Sequence, residues 1–369
     1  MKSKNIYFFI GTTAELIKIA PVIKEFKKRG IKFKIITSGQ VKVNFEDLSG
    51  YIGNIKADTA LEEKVKRSSL FHFILWAVKT FILSLFTFRK EFRGLDKNTS
   101  YFIVHGDTVS ALIGAFIAKI YNLKLAHIES GLYSHNLLEP FPEEICRRII
   151  DHIADVLFLS NEWAKNNVKN TNGEKIMTEE NTLIESYHWA MKVKPISEFI
   201  KNNKKIVKYY ILILHRQEHV IFRKKWSTEI LGFVIKNANK NFNCILLKHP
   251  LTLQIIESLK PTLGSAKIKK LIEIPRLPYP DFMKLMKNAE FIATDGCINQ
   301  LEAYYMGIPC LALRDRTEQP EGVNKNVVIC KSDQKVMEKF FINYKKYKTK
   351  PVFLKVSPSK IIVDYLISH

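Results

Sequence analysis

Three carboxylates stand where a parallel sheet would present them to a ligand. The apolar run Tyr101-Phe102-Ile103-Val104 ends in His105-Gly106-Asp107-Thr108. A second run, Leu123 to Ile128, ends in Glu129-Ser130-Gly131, and Phe141-Pro142-Glu143-Glu144 opens a helical segment that carries Arg147 and Arg148. In an open parallel sheet the carboxyl ends of the strands line the crevice where ligands bind. Carboxylates gathered there can divide proton donation and acceptance when their surroundings separate their pKa values. Plainer uses of the same residues stay open. Asp107 and Glu129 also suit helix capping, and Glu143 is a first-turn acid of the kind a helix dipole favours. Glu144 reads as a surface partner, His105 and His127 as structural histidines beside the sheet, and Cys297 as a small buried thiol.

The elements that must position these residues alternate along the chain, which predicts an α/β protein with parallel sheets. Asn5 to Ile10 reads as a strand, and Ala14 to Arg29 as a helix stopped by Gly30. Strands follow at Phe33 to Thr37, Tyr101 to Val104, Lys124 to Ile128 and Asp155 to Leu159. Near Asn181 the alternation loosens into a helical stretch. A second series then begins: Tyr209 to Leu214, Cys244 to Leu247, Leu271 to Ile274, Phe291 to Thr294, Cys310 to Leu313 and Val327 to Cys330. Two series predict two doubly wound Rossmann-like domains facing across a cleft. Their expected extents are 1–180, carrying the acids, and 181–355, binding nucleotide, with a C-terminal helix within 356–369 packing back on the first.

The segment from Leu70 to Phe88 is nearly continuous apolar sequence. It is preceded by Lys64, Lys66 and Arg67 and followed by Arg89, Lys90 and Arg93. Its length suits a membrane span, but Lys79 near its centre argues against one. On a helical wheel His72, Lys79, Thr80, Ser84 and Thr87 gather on one side, and the apolar remainder is wider than one sheet face needs. Three uses stay open for the excess: protein core, a homodimer interface, or a peripheral contact with the inner face of a membrane.

The composition bounds the rest. At 369 residues the chain is long enough for two domains, and its 46% hydrophobic and 25% charged content is that of a globular protein. Five scattered cysteines without a C-x-x-C pair fit reduced thiols in the cytoplasm better than disulfides or zinc. Met1 leads straight into a strand, so no signal peptide is expected. The net charge of +22 fits lysines spread over solvated faces, an anionic membrane surface or an anionic substrate. With no RNA-recognition signature, zinc finger or helix-turn-helix in the sequence, nucleic acid is not expected as a partner.

Taken together, Gly11-Thr12-x-x-Glu15-x-x-Lys18, Val104-His105-Gly106-Asp107-Thr108, His127-Ile128-Glu129-Ser130-Gly131-Leu132 and Pro142-Glu143-Glu144 resemble the UDP-N-acetylglucosamine 2-epimerase family. The second half agrees, through His215-Arg216-x-Glu218, Thr294-Asp295, Gln300-x-Glu302-Ala303, Gly307-x-Pro309 and Arg314-Asp315-x-Thr317-Glu318-x-Pro320-Glu321. The order and spacing match over almost the whole chain. The resemblance implies a glycosyltransferase-B-type fold with UDP held mainly by the second domain. It also implies an isomerase acting on a UDP-sugar without cofactor or metal. Such enzymes eliminate UDP from UDP-GlcNAc to give 2-acetamidoglucal. They then add UDP back with C2 inverted, or release ManNAc by hydrolysis, in the service of surface-polysaccharide synthesis. Carried over residue by residue, Asp107, Glu129 and Glu143 form the acid/base group, and His215 contacts phosphate or assists the leaving group. Lys18 and Arg147 join the substrate site, Gly296 lets backbone N–H groups approach phosphate, and Glu302 holds the ribose hydroxyls.

The chain also departs from that family. Thr13-Ala14 replaces Arg-Pro, Asp295-Gly296-Cys297-Ile298 replaces Asp-Ser-Gly-Gly, Tyr133 replaces an arginine, and Gln40-Val41 replaces Gln-His. The acids are kept while the phosphate-gripping residues change. The alternative this leaves is a membrane-associated glycosyltransferase of the same fold, using a nucleotide-sugar donor and a lipid-linked acceptor.

Overall fold

The computed structural model describes residues 4–61, 70–197, 208–214, 223–238, 242–248, 250–264 and 269–369. The chain divides into two compact units, Met1–Ser186 with Leu354–His369, and Tyr187–Phe353.

The first unit is built on seven parallel strands: β1 (Asn5–Ile10), β2 (Lys34–Thr37), β3 (Thr59–Ala60), β4 (Ser100–His105), β5 (Lys124–Ile128), β6 (Val156–Leu159) and β7 (Glu174–Met177). Their order is β3-β2-β1-β4-β5-β6-β7. The chain winds outward one way from β1 and the other way from β4. Right-handed crossovers therefore put the helices Thr13–Lys28 and Val109–Ile120 on opposite faces, and the switch point lies between β1 and β4. Pairing of Phe8 with Ile103, and of His105 with Ile128, brings the ends of β1, β4 and β5 level. These strands read as near-continuous apolar runs because both faces of the sheet are covered.

The second unit repeats the plan with six parallel strands: β8 (Tyr209–Ile213), β9 (Asn243–Leu247), β10 (Leu271–Ile274), β11 (Ile292–Thr294), β12 (Cys310–Ala312) and β13 (Val327–Ile329). Their order is β10-β9-β8-β11-β12-β13, with the switch between β8 and β11. Every strand expected from the sequence is present to within a residue or two at each end. The additions are β3 and β7, short edge strands of two and four residues without an apolar run to announce them. The last helix, Pro358–Ser368, packs on Thr13–Lys28 of the first unit, with Arg29 donating to Asp364 at 2.6 Å.

The apolar segment forms the helix Leu70–Phe92, long and apolar enough to span a bilayer by length and composition. Its inward side differs from a simple wheel. Thr80 and Ser84 are buried beside Trp76, Phe88 and Phe92. The Ser84 hydroxyl donates to the Thr80 carbonyl at 2.7 Å, which satisfies it without water. Phe92 packs among Tyr7, Phe88, Phe102 and Tyr121. The large aliphatic side faces out instead, with Phe71 70% and Phe86 71% exposed and Ile74, Leu75, Val78, Ile82 and Leu83 between them. Most of the apolar excess therefore does not serve as core.

Two glycines separate backbone strain from crowding. Gly30 (φ +68°) has open space where a Cβ would stand, whereas at Gly131 (φ +75°) a Cβ would lie 2.4 Å from the Ala164 carbonyl oxygen. Gly30→Ala should cost about 1 kcal/mol, and Gly131→Ala about 3 kcal/mol or more. Urea unfolding midpoints of the two variants check the difference.

Candidate active site

The strand ends of the first unit hold a dense set of charges. Lys18, on the helix after β1, donates to both oxygens of Glu129 at 2.6 and 2.7 Å, and Asn181 donates to the same carboxylate. Glu129 is 6% exposed and has φ +67°. A non-glycine residue in the left-handed region carries a backbone cost of roughly 1–3 kcal/mol that surrounding structure must sustain, and such residues cluster at functional sites. Burial pushes this carboxyl up, but the Lys18 ammonium, His105 and Arg147 outweigh that and hold it down at about 2. Glu129 is thus a fixed anion at neutral pH.

Asp107 follows Gly106 (φ +67°) at the end of β4, and the Gly106 N–H donates to the Ile128 carbonyl at 3.0 Å. A Cβ at Gly106 would stand 3.6 Å from Glu129 Oε1, so the two turns lie side by side. The helix Glu143–Ile153 brings the opposing charge. Glu143, Arg147 and Asp151 recur every four residues and so share one helical face. Arg147, 2% exposed, donates to the Asp107 carboxylate and, at 2.5 Å, to the Leu132 carbonyl. Glu143, in the first turn, is partly exposed. Its neighbour Glu144, expected at the surface, is fully buried: it accepts the Ser134 N–H at 2.8 Å and pairs with Arg148 at 2.7 Å. It holds the Leu132–Ser134 loop rather than facing solvent.

Residues outside the sequence-derived set also enter this region. Glu15 is 4% exposed and accepts the Gly11 N–H at 2.6 Å. Burial drives its carboxyl up to about 7 against the pull of the Gly11 N–H and the Thr108 hydroxyl, and the Asp107 charge adds to the rise. The signal was present as Thr12-x-x-Glu15, a capping-box pattern, since Thr12 Oγ1 accepts the Glu15 N–H. Asn181 had no such signal, because it reaches Glu129 from 52 residues away. His105 is buried 3.9 Å from Glu129. Burial pushes it down to about 3, further lowered by Lys18, His127 and Arg147 and only partly offset by Glu129, so it is neutral.

In the second unit Gly296 is the N-cap of the helix Cys297–Met306 and has an ordinary φ of −83°. No side chain caps that helix, a geometry that suits an anion. Ile298 sits in its first turn without a left-handed backbone, so its β-branch is accommodated. Arg314, 1% exposed, braces the turn by donating to the Asp295 carbonyl, to Cys297 Sγ at 2.8 Å and to Glu318 at 3.0 Å. Glu302 is 1% exposed, with one oxygen accepting from Asn299 at 3.0 Å. Lys18, Asp107, Glu129 and Arg147 thus come together in the first unit, while Gly296 and Glu302 belong to the second. His215 lies outside the described residues. Among the described residues no group of three or more His, Cys, Asp or Glu side chains is placed to hold a metal.

Two doubly wound parallel sheets, the first carrying an acid and base cluster at its switch point, define a glycosyltransferase-B-type α/β protein. Residues 78–363 match the family model described as UDP-N-acetylglucosamine 2-epimerase. The UDP-N-acetylglucosamine 2-epimerase of Methanocaldococcus jannaschii is 31% identical over 351 residues, covering 90% of this chain and 89% of its own. That of Neisseria meningitidis is 30% identical, covering 97% and 98%. The crystal structure of the M. jannaschii enzyme in complex with UDP-GlcNAc and UDP superposes with a TM-score of 0.83 at 26% identity, over 99% of this chain and 100% of that one. The chain belongs to the UDP-N-acetylglucosamine 2-epimerase family.

The two perturbed glutamates act on stability in opposite senses. The contribution of Glu129, depressed to about 2, is present above pH ~4.5 and lost as pH falls towards 2. That of Glu15, raised to about 7, is full below pH ~4.5 and declines as pH rises to 7, by about 3 kcal/mol. Glu15→Gln should therefore gain about 3 kcal/mol on the wild type between pH 4 and pH 8, as measured by urea unfolding at both.

Proposed function

We propose that the protein interconverts UDP-GlcNAc and UDP-ManNAc by eliminating and re-adding UDP. The observation that carries this is the set of Asp107 and Glu129 with Lys18 and Arg147 at one switch point, Glu143 standing one turn before Arg147 on its helix, in a chain of this family. Inverting C2 requires a proton to leave one face and another to arrive at the opposite face. A single carboxylate on one side cannot do both. In the proposed course a carboxylate takes the C2 proton while the C1–O bond breaks. The electron pair of the C–H bond becomes the C1–C2 double bond, and that of the C–O bond leaves on the UDP β-phosphate. UDP then adds back to C1 as a proton is delivered to the other face of C2; attack by water at C1 would give ManNAc instead.

Glu129, held charged by Lys18, is poorly suited to donate a proton at neutral pH and serves as the fixed anion. Asp107 and Glu143 are left to carry protons on opposite faces, with Arg147 orienting Asp107. The uncapped helix Cys297–Met306 receives phosphate, Glu302 the ribose hydroxyls, and His215 assists the departing phosphate. A nucleotide-sugar substrate and five free cysteines fit a cytoplasmic protein.

The exposed side of Leu70–Phe92 continues onto Phe116 and Ile120 of the neighbouring helix. Soluble monomers rarely leave so large an apolar patch uncovered. We assign its cover to a second copy of the chain, since a two-helix apolar face suits a self-complementary interface.

Incubation with UDP-GlcNAc in deuterated water should introduce deuterium at C2, seen by NMR. Asp107→Asn and Glu143→Gln should each slow exchange ~10²–10⁴-fold. Absence of exchange and of UDP release in the wild type would overturn the reading. By sedimentation equilibrium the wild type should be a dimer and Leu75→Glu with Ile82→Glu a folded monomer. A monomeric wild type that floats with anionic vesicles would give the face to a membrane instead.

A further inference from the structure

His127 and Asp151 are fully buried and, within the site, have been given no role in the proton transfers. Both nitrogens of the His127 ring face an acceptor: Nδ1 lies 2.7 Å from Asp151 Oδ1, and Nε2 lies 2.7 Å from the Gly106 carbonyl oxygen. A carbonyl can only accept, so Nε2 carries a hydrogen. The second oxygen of Asp151 accepts the Gly131 N–H at 3.0 Å. A hydrogen must also lie between Nδ1 and Oδ1, since two lone pairs would otherwise face each other at 2.7 Å.

We propose that His127 and Asp151 are the positioning pair for the two site acids on adjacent strand ends. Its reach explains why. Nε2 holds the carbonyl of Gly106, the residue before Asp107. Asp151 holds the N–H of Gly131, two residues after the strained Glu129. Asp151 shares its helical face with Arg147, which grips Asp107 directly. One buried pair therefore ties the Asp107 turn, the Glu129 loop and the helix Glu143–Ile153 into a single frame. The buried pair is sustained because both ring nitrogens and both carboxyl oxygens are bonded.

The frame is independent of the proposed reaction; the effect on rate rests on it. Amide hydrogen exchange of the full chain tests the frame: the Gly131 N–H should exchange slowly in the wild type and about 10-fold or more faster in Asp151→Ala. An unchanged Gly131 rate would overturn the proposal. Asp151→Asn can keep both of its hydrogen bonds by turning its amide N–H towards Nδ1. It should fold with Gly131 protected, and a loss of protection as large as in Asp151→Ala would also count against the pair. In His127→Gln, kcat for C2 exchange should fall about 10²-fold through misplacement of Asp107, with KM for UDP-GlcNAc within about twofold. Wild-type kcat there would remove the positioning role. A wild type that shows no C2 exchange but a protected Gly131 would instead sink the proposed reaction and leave the frame standing.

Discussion

A buried guanidinium governs the arrangement of the first unit. Arg147, on the helix Glu143–Ile153, is 2% exposed, and an unpaired cation so buried would be costly. Asp107 neutralises it, and the Leu132 carbonyl accepts a further N–H. Asp107 is thereby fixed at the mouth of β4, and the loop that begins at Glu129 is drawn to the same helix. Lys18 performs the equivalent service for Glu129 from the opposite side. Two cations from two helices thus hold two anions on two neighbouring strand ends. The register of β4 against β5, pairing His105 with Ile128, is what makes those ends neighbours.

Much of this was legible in the sequence. The apolar runs named their strands because strands buried on both faces leave little room for polar residues. The acids announced themselves by standing where those runs break. Long-range partners were not legible. Asn181 meets Glu129 and Asp151 meets His127 only after the sheet has formed, and no local pattern encodes such pairings. Glu144 was misjudged because a charged residue in a helix's first turn ordinarily faces water; here the Ser134 N–H and Arg148 supply what water would. Which side of the helix Leu70–Phe92 faces inward was not legible for a related reason. Periodicity shows that a helix has two sides, and small hydroxyls that bond within the helix can occupy the inner one.

The second unit shows how the altered turn after β11 is housed. Gly296 leaves its helix without a side-chain cap, and Cys297 takes its place in a cluster with Arg314 and Glu318. Arg314 points its donors at the Asp295 carbonyl and at this cluster, bracing the turn. The turn is therefore braced from within, and its helix N-terminus presents backbone N–H groups without a side-chain hydroxyl cap.

The helix Pro358–Ser368 belongs to the same compact unit as β1, although the whole of Tyr187–Phe353 lies between them in the chain. On the ribosome, chains emerge from the N-terminus and domains tend to fold as they appear. Here the earlier unit must wait for the final eleven-residue helix before its surface over Thr13–Lys28 is closed. The intervening unit, continuous in sequence, has all its strands in hand sooner. Order of synthesis and order of completion are therefore reversed.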